Sequence, residues 1–204
     1  NAAYSPIYQR NTRYLPPKML RVFLLICLCL AAAITKARQA DPPAVAAIER
    51  AIEHLELEGA TRLTLQLPEM KLRLYYQARI MFIHYLVAEP PGQLERFISL
   101  SKNSLHALDK LPATDPDKEW MMAEIFFMRG VLRALQQQAV TAAVDMKSAC
   151  DLAYRSSQKF PKQLEHQKLI GIFHVAMATL PRKLLWIGNV LCYKGDMETG
   201  VKQL

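Results

Sequence analysis

The sequence predicts an all-α fold, a superhelical array of antiparallel helix pairs, from three observations. Apolar residues recur at helical spacing through residues 41–204, and segment after segment is closed by proline or glycine. No stretch sustains period-two alternation between hairpin turns, Thr61–Leu67 being the one short strand candidate. With 51% apolar and 22% charged residues the chain is not disordered as a whole. The ~160 residues after Ala40 are enough for one domain with a real core.

The first forty residues read as an address. They carry six bases (Arg10, Arg13, Lys18, Arg21, Lys36, Arg38) and no acid. Removing those six from the 26 Lys+Arg of the chain leaves 20 bases and 18 acids for residues 41–204, with the signs interspersed. Nucleic-acid binding needs a clustered basic face and finds no support in that balance. Between Arg21 and Lys36 lie fourteen uncharged residues, Val22–Thr35. That run is shorter than the roughly 20 apolar residues of a spanning helix. It fits the core of a secretory signal, with bases before it and small residues after it. Cleavage after Ala33 or Ala37 suits those small residues. Met19 is then the true start, residues 1–18 a non-native upstream extension, and residues 19–40 the signal peptide. An uncleaved membrane anchor is the competing reading of the same segment, and the strongly apolar run argues against a mitochondrial presequence. Cys27 and Cys29 sit inside the run as apolar filler. Cys150 and Cys192, each in an apolar helical context, read as buried free thiols.

The body, residues 41–204, divides into eight helices. Asp41-Pro42-Pro43 supplies an N-cap with proline in the first turn, and Val45, Ile48, Ile52 and Leu55 follow at helical spacing up to Gly59. A second helix starts near Pro68-Glu69 and carries Leu72, Tyr75, Tyr76, Arg79, Ile80, Phe82, Ile83 and Leu86 until Pro90-Pro91-Gly92 stops it. Leu94, Phe97, Ile98, Ser101, Leu105 and Leu108 form the third, which ends before Pro112. Asp115-Pro116 opens the fourth, in which Trp120, Ala123, Phe127, Gly130, Val131 and Ala134 share a face. After Gln136–Gln138 the register restarts at Ala142, Met146, Ala149 and Ala153, ending around Phe160-Pro161. A sixth spans Gln163–Thr179, a seventh runs from Leu180-Pro181 through Tyr193, and an eighth opens at Gly195-Asp196. The short connections favour helical hairpins.

Two stretches share a spacing. Phe126 precedes Gly130, with Ala142, Met146 and Ala149 following; Leu184 precedes Gly188, with Gly195, Gly200 and Leu204 following. In each, twelve residues separate the first small residue from the next (Gly130 to Ala142, Gly188 to Gly200), and four more lead to a large apolar one. A Gly or Ala at a helix crossing permits a short interaxial distance that Leu would forbid. The spacing resembles the tetratricopeptide repeat. Arg133 stands in one slot usually aromatic, and the two stretches start 58 residues apart instead of about 34. Phe160-Pro161, Leu169–His174, Leu180–Gly188, Tyr193–Asp196 and Gly200–Leu204 resemble the divergent tetratricopeptide family that includes the mitochondrial inclusion-body clearance protein family and its secreted bacterial relatives. The resemblance covers residues 115–204. It implies a right-handed superhelix that binds proteins or organises assemblies, and it brings no catalytic residue. Leu204 falls in the first turns of the second helix of a pair, so further helix pairs are expected beyond it.

No motif for chemistry accompanies this architecture. The five histidines, His54, His84, His106, His166 and His174, form no cluster at metal-ligand spacing, and neither a Gly-x-Ser-x-Gly elbow nor a phosphate-cradling glycine loop occurs. The expected protein is therefore not an enzyme and uses no cofactor or metal. An enzyme would need a deep polar pocket holding at least two of His84, His166, His174, Glu165 and Glu124. Two features could bind a protein or peptide, or a second copy of the chain. Tyr75, Tyr76 and Arg79 concentrate aromatic and basic character on the second helix, and Arg129 and Arg133 with Gln136–Gln138 line the end of the fourth. The competing reading of the tyrosine stripe is core, since apolar helical periodicity usually means burial. If Tyr75, Tyr76 and Arg79 all prove buried, the groove is lost.

Overall fold

The computed structural model describes residues 43–88 and 92–178, together with Glu198. Seven helices and no strand occur among them: α1 Pro43–Glu53, α2 Leu57–Leu65, α3 Met70–Ala88, α4 Gln93–Asp109, α5 Pro116–Leu135, α6 Ala139–Lys159 and α7 Leu164–Ala178. The all-α fold is as expected. The apolar run Val22–Thr35, the seventh and eighth expected helices, and Gly188, Gly195 and Gly200 lie outside the described residues. No helix among the described residues is long and apolar enough to cross a membrane.

The beginning of the array departs from expectation. The first helix stops at Glu53, short of Gly59, because Leu55 takes a left-handed backbone (φ 58°). The Leu55 N–H then donates to the Ile52 carbonyl and the Glu56 N–H to the Ala51 carbonyl, which is the Schellman arrangement that satisfies the last carbonyls of a helix. Gly59 lies inside α2, and the strand candidate Thr61–Leu67 is helical through Leu65. Its β-branched threonines are accommodated by bonding back one turn, Thr61 Oγ1 to the Leu57 carbonyl and Thr64 Oγ1 to the Ala60 carbonyl, both at 2.8 Å.

Further along, local chemistry and boundaries agree. Asp115 accepts a hydrogen bond from the Asp117 N–H at 2.9 Å with Pro116 in the first turn of α5, the pairing that satisfies orphan donors and fixes φ where the helix begins. At the other end of α5, Gln137 adopts φ 60°, and Gln138 donates to the Arg133 carbonyl, a second Schellman turn built without glycine. Lys118 Nζ reaches the carbonyls of Asp109 and Leu111 and so closes the C-terminal end of α4.

Each helix packs on the next, and in addition α3 packs on α5 and α5 on α7. Two cores result. The larger joins α1–α5 and includes Val45, Ile48, Tyr75, Tyr76, Phe97, Leu108, Trp120 and Ile125. The smaller joins α5–α7 through Ala123, Ala149, Cys150, Ala153, Leu169 and Phe173. Helix α5 walls both, and every residue along it is buried or half-buried.

Burial recurs at an offset of 45 residues at eight pairs of positions in α3–α4 and α5–α6, though not at every pair, since Val87 is exposed where Leu132 is buried. Tyr75, Tyr76, Ala78 and Ile80 of α3 match Trp120, Met121, Ala123 and Ile125 of α5, and all eight are buried. Phe97, Ser104, Leu105 and Leu108 of α4 match Ala142, Ala149, Cys150 and Ala153 of α6 in the same way. Successive hairpins touch at matching positions, since the Tyr75 and Trp120 rings meet edge to face with centroids 5.2 Å apart. Phe127 of α5 and Phe173 of α7 make a similar contact at 5.5 Å.

Candidate functional site

Side chains singled out for binding separate into two groups. Tyr75 and Tyr76 are core, each at most 2% exposed. The phenol of Tyr75 donates to Glu124 of α5, and that of Tyr76 donates to Glu49 of α1 at 2.8 Å. Arg79, one-fifth exposed, gives a 2.6 Å hydrogen bond to the same Glu49 oxygen. Burial opposes the charge on Arg79, but the acidic groups around it, with the Glu49 carboxylate in direct contact, outweigh it and hold the guanidinium protonated. Burial, reinforced by the Glu124 charge, keeps the Tyr75 phenol neutral well above its ordinary range. The tyrosines therefore carry no exposed groove. Their rings fill the α1–α3–α5 interior, and their hydroxyls satisfy carboxylates that would otherwise be costly to bury.

Arg129 and Arg133 lie one turn apart on α5 and converge on Asp145 of α6. Asp145 is 1% exposed; it accepts from Arg129 Nε at 2.9 Å and from Arg129 Nη2 at 2.5 Å, one bond to each carboxylate oxygen, and from Arg133 Nη1 at 2.7 Å. The Arg129 guanidinium also lies 4.7 Å from the centre of the Phe126 ring, a cation–π placement. Bidentate arginine–carboxylate bonding of this kind fixes orientation as well as charge. Asp145 and Glu49 were not singled out from the sequence, and Glu124, considered there only as part of an enzyme pocket, serves instead as the acceptor for Tyr75. An i, i+4 arginine pair is visible in a linear reading, but the carboxylate it grips comes from across a hairpin.

Close packing accompanies the cluster. A Cβ on Gly130 would stand 3.0 Å from Met146 Cγ, so the absent side chain is what admits Met146. Ala142 and Ala149 are buried along the same crossing.

Elsewhere the titratable groups are dispersed. His84 is exposed and bonded to Gln93 at 2.9 Å, and His174 lies 3.5 Å from the Tyr154 hydroxyl. Cys150 is free and buried, and desolvation pushes its thiol up to about 12, which removes thiolate reactivity near neutral pH. Among the described residues no group of three or more His, Cys, Asp or Glu could hold a metal ion.

Fold and site together define an all-helical protein of consecutively packed hairpins, with a buried carboxylate gripped by two arginines inside one of them. Compared with family models, with curated proteins and with solved structures, the chain finds no match.

Proposed function

We propose that the chain is a non-enzymatic helical-repeat protein, a solenoid of helix pairs, that mediates protein–protein contact or assembly after export. The observation that carries this reading is the 45-residue recurrence of burial across α3–α4 and α5–α6, with its matching rings, Tyr75 and Trp120, in contact. In a helical-repeat array each unit buries its neighbour, and the repeated surface is what partners bind. A period of 45 exceeds the 34 of the tetratricopeptide repeat and lies within the ~40–47 of longer helix-pair repeats. The likeness to the divergent tetratricopeptide family therefore concerns the hairpin construction and its small-residue crossings at Gly130, Ala142 and Ala149. Export is supported by the bases and apolar run of residues 19–37.

Cross-linking followed by affinity capture of the full chain in its native cells tests the reading. The expected result is a stoichiometric protein partner or a second copy of the chain. A native protein that runs as a bare monomer and captures no stoichiometric partner would overturn it. Fractionation with and without residues 19–37 tests the address: release into the periplasmic or extracellular fraction is expected, and retention in the membrane fraction instead favours a tether anchored by the apolar run.

A further inference from the structure

The charged cluster between α5 and α6 is not something the hairpin needs in order to close. At the 45-residue offset, Arg129, Arg133 and Asp145 correspond to His84, Ala88 and Leu100, so the preceding hairpin manages the same places without this triad. Replacing a buried ionic triad by apolar side chains is often neutral or stabilising. Stability alone therefore does not explain why a 1% exposed carboxylate stands where the neighbouring hairpin has leucine. The balance of charge is also uneven. Two guanidinium ions meet one carboxylate, and among the described residues no second carboxylate lies within ion-pair distance of either arginine. Arg129 is committed to both oxygens of Asp145 and to the Phe126 ring. Arg133 spends one N–H on Asp145 out of the five a guanidinium carries, and its side chain is 18% exposed. One positive charge is thus left over, on a side chain held in place by Asp145 and still reachable from solvent.

We propose that the Arg129–Asp145–Arg133 cluster docks a single carboxylate from an acidic segment of a protein partner, with Arg133 making the contact and Asp145 holding both arginines ready for it. This rests on the protein-binding reading above and adds the chemistry of the partner. Planar, preorganised guanidinium donors suit a carboxylate, and ordering them in advance lowers the cost of binding.

The test uses the full chain and a fluorescently labelled peptide of alternating Glu and Ala, followed by anisotropy at low and moderate salt. The Glu peptide is expected to bind with salt-sensitive affinity, and the same peptide with Gln for Glu is expected to bind more weakly. Arg133→Gln should weaken the Glu peptide by about threefold to tenfold. Arg133→Lys should fall between, and Lys147→Gln, on the exposed face of α6, should change nothing. Equal affinity for the Glu and Gln peptides, or an Arg133→Gln protein that binds like wild type, overturns the proposal. So does acetate competing equally per carboxylate, because the site would then take free anions. Should Arg133→Gln fail to fold by circular dichroism, Arg133→Lys and the two-peptide comparison decide. A stoichiometric partner still captured by Arg133→Gln leaves the protein-binding reading standing and removes this one.

Discussion

The hairpins α3–α4 and α5–α6 occupy one burial frame with opposite materials. In the first, aromatic and hydroxyl side chains do the filling: Tyr75, Tyr76, Phe97, Ser101 and Ser104 are all buried. In the second, the facing helix α6 presents Ala142, Ala149, Cys150 and Ala153, and α5 contributes Gly130. Sizes even exchange places at one pair of positions. Tyr85 and Ser101 in the first hairpin correspond to Gly130 and Met146 in the second. Small residues let two helices approach along a long seam, and α5–α6 is the most extensive helix pairing among the described residues. The first hairpin spreads its bulk among α1, α3, α4 and α5 instead. Polar groups follow the same division. Carboxylates in the first core are met by tyrosine hydroxyls and Arg79, whereas the second hairpin meets its carboxylates with cations across α5 and α6, Asp145 with Arg129 and Arg133, and Glu119 with Lys159.

The largest effect that would break this contrast is deletion of a ring. Tyr75→Ala should cost about 4–5 kcal/mol, the upper part of the range for large aromatic truncations, because it also removes a donor from Glu124. Trp120→Ala should cost about 3–5 kcal/mol, and the double variant less than the sum, since the rings touch. Urea unfolding measures all three; strict additivity would mean that the two hairpins are not coupled through these rings.

Next in size is Asp145→Ala, which strands two arginines and should cost about 3–4 kcal/mol. Making the cluster apolar, with Arg129→Met, Arg133→Leu and Asp145→Leu together, should return most of that loss. A triple variant as unstable as Asp145→Ala would show that the cluster is a structural necessity. Smaller again is overpacking of the seam: Ala149→Leu should cost about 1–3 kcal/mol, whereas Ser104→Ala at the matching position should stay within about 1 kcal/mol, its only hydrogen bond being a 3.5 Å contact to the Leu74 carbonyl. Thermal melts that rank these two in the reverse order would deny that the second hairpin is the tighter one.

The mildest effect concerns Cys150. The folded chain keeps its thiol proton up to about 12, whereas the unfolded chain releases it near 9.0. Folded protein then holds more protons in that window, so this group makes stability fall as pH rises from about 9 towards 12. In a background lacking Cys27, Cys29 and Cys192, unfolding followed against pH should show the decline, and Cys150→Ala should make it shallower between about pH 9 and 10, below the range where Tyr75 and Tyr154 add to it. A thiol reagent at pH 8 should label Cys150 only after unfolding.

Much of this was legible residue by residue. Proline, glycine and the Asp115 cap mark the starts of α3, α4 and α5 and the turn between α6 and α7 closely, because those residues act on the backbone locally. The first boundary was hidden because a leucine supplies the left-handed turn at residue 55, a conformation costing roughly 1–2 kcal/mol for such a residue and one that no local pattern announces. The tyrosine stripe was readable as either core or groove, and only the positions of α1 and α5 decide between them. Asp145 was invisible as a partner for Arg129 and Arg133 because α5 and α6 must first be paired before the contact exists. The 45-residue recurrence was masked by composition, since Tyr stands against Trp, Phe against Ala and Tyr against Gly at matched positions.

Helix α5 carries a consequence for any attempt to divide the protein. Both cores end on it, so a cut on either side leaves one half with an exposed apolar wall and the other without the helix it folds against. Two fragments can each be complete only if both contain residues 116–135. They would then compete for each other's partners, making an exchange of hairpins between chains the expected hazard of a split version. Amide hydrogens of α5 should accordingly be the last to exchange, released only when the whole array opens.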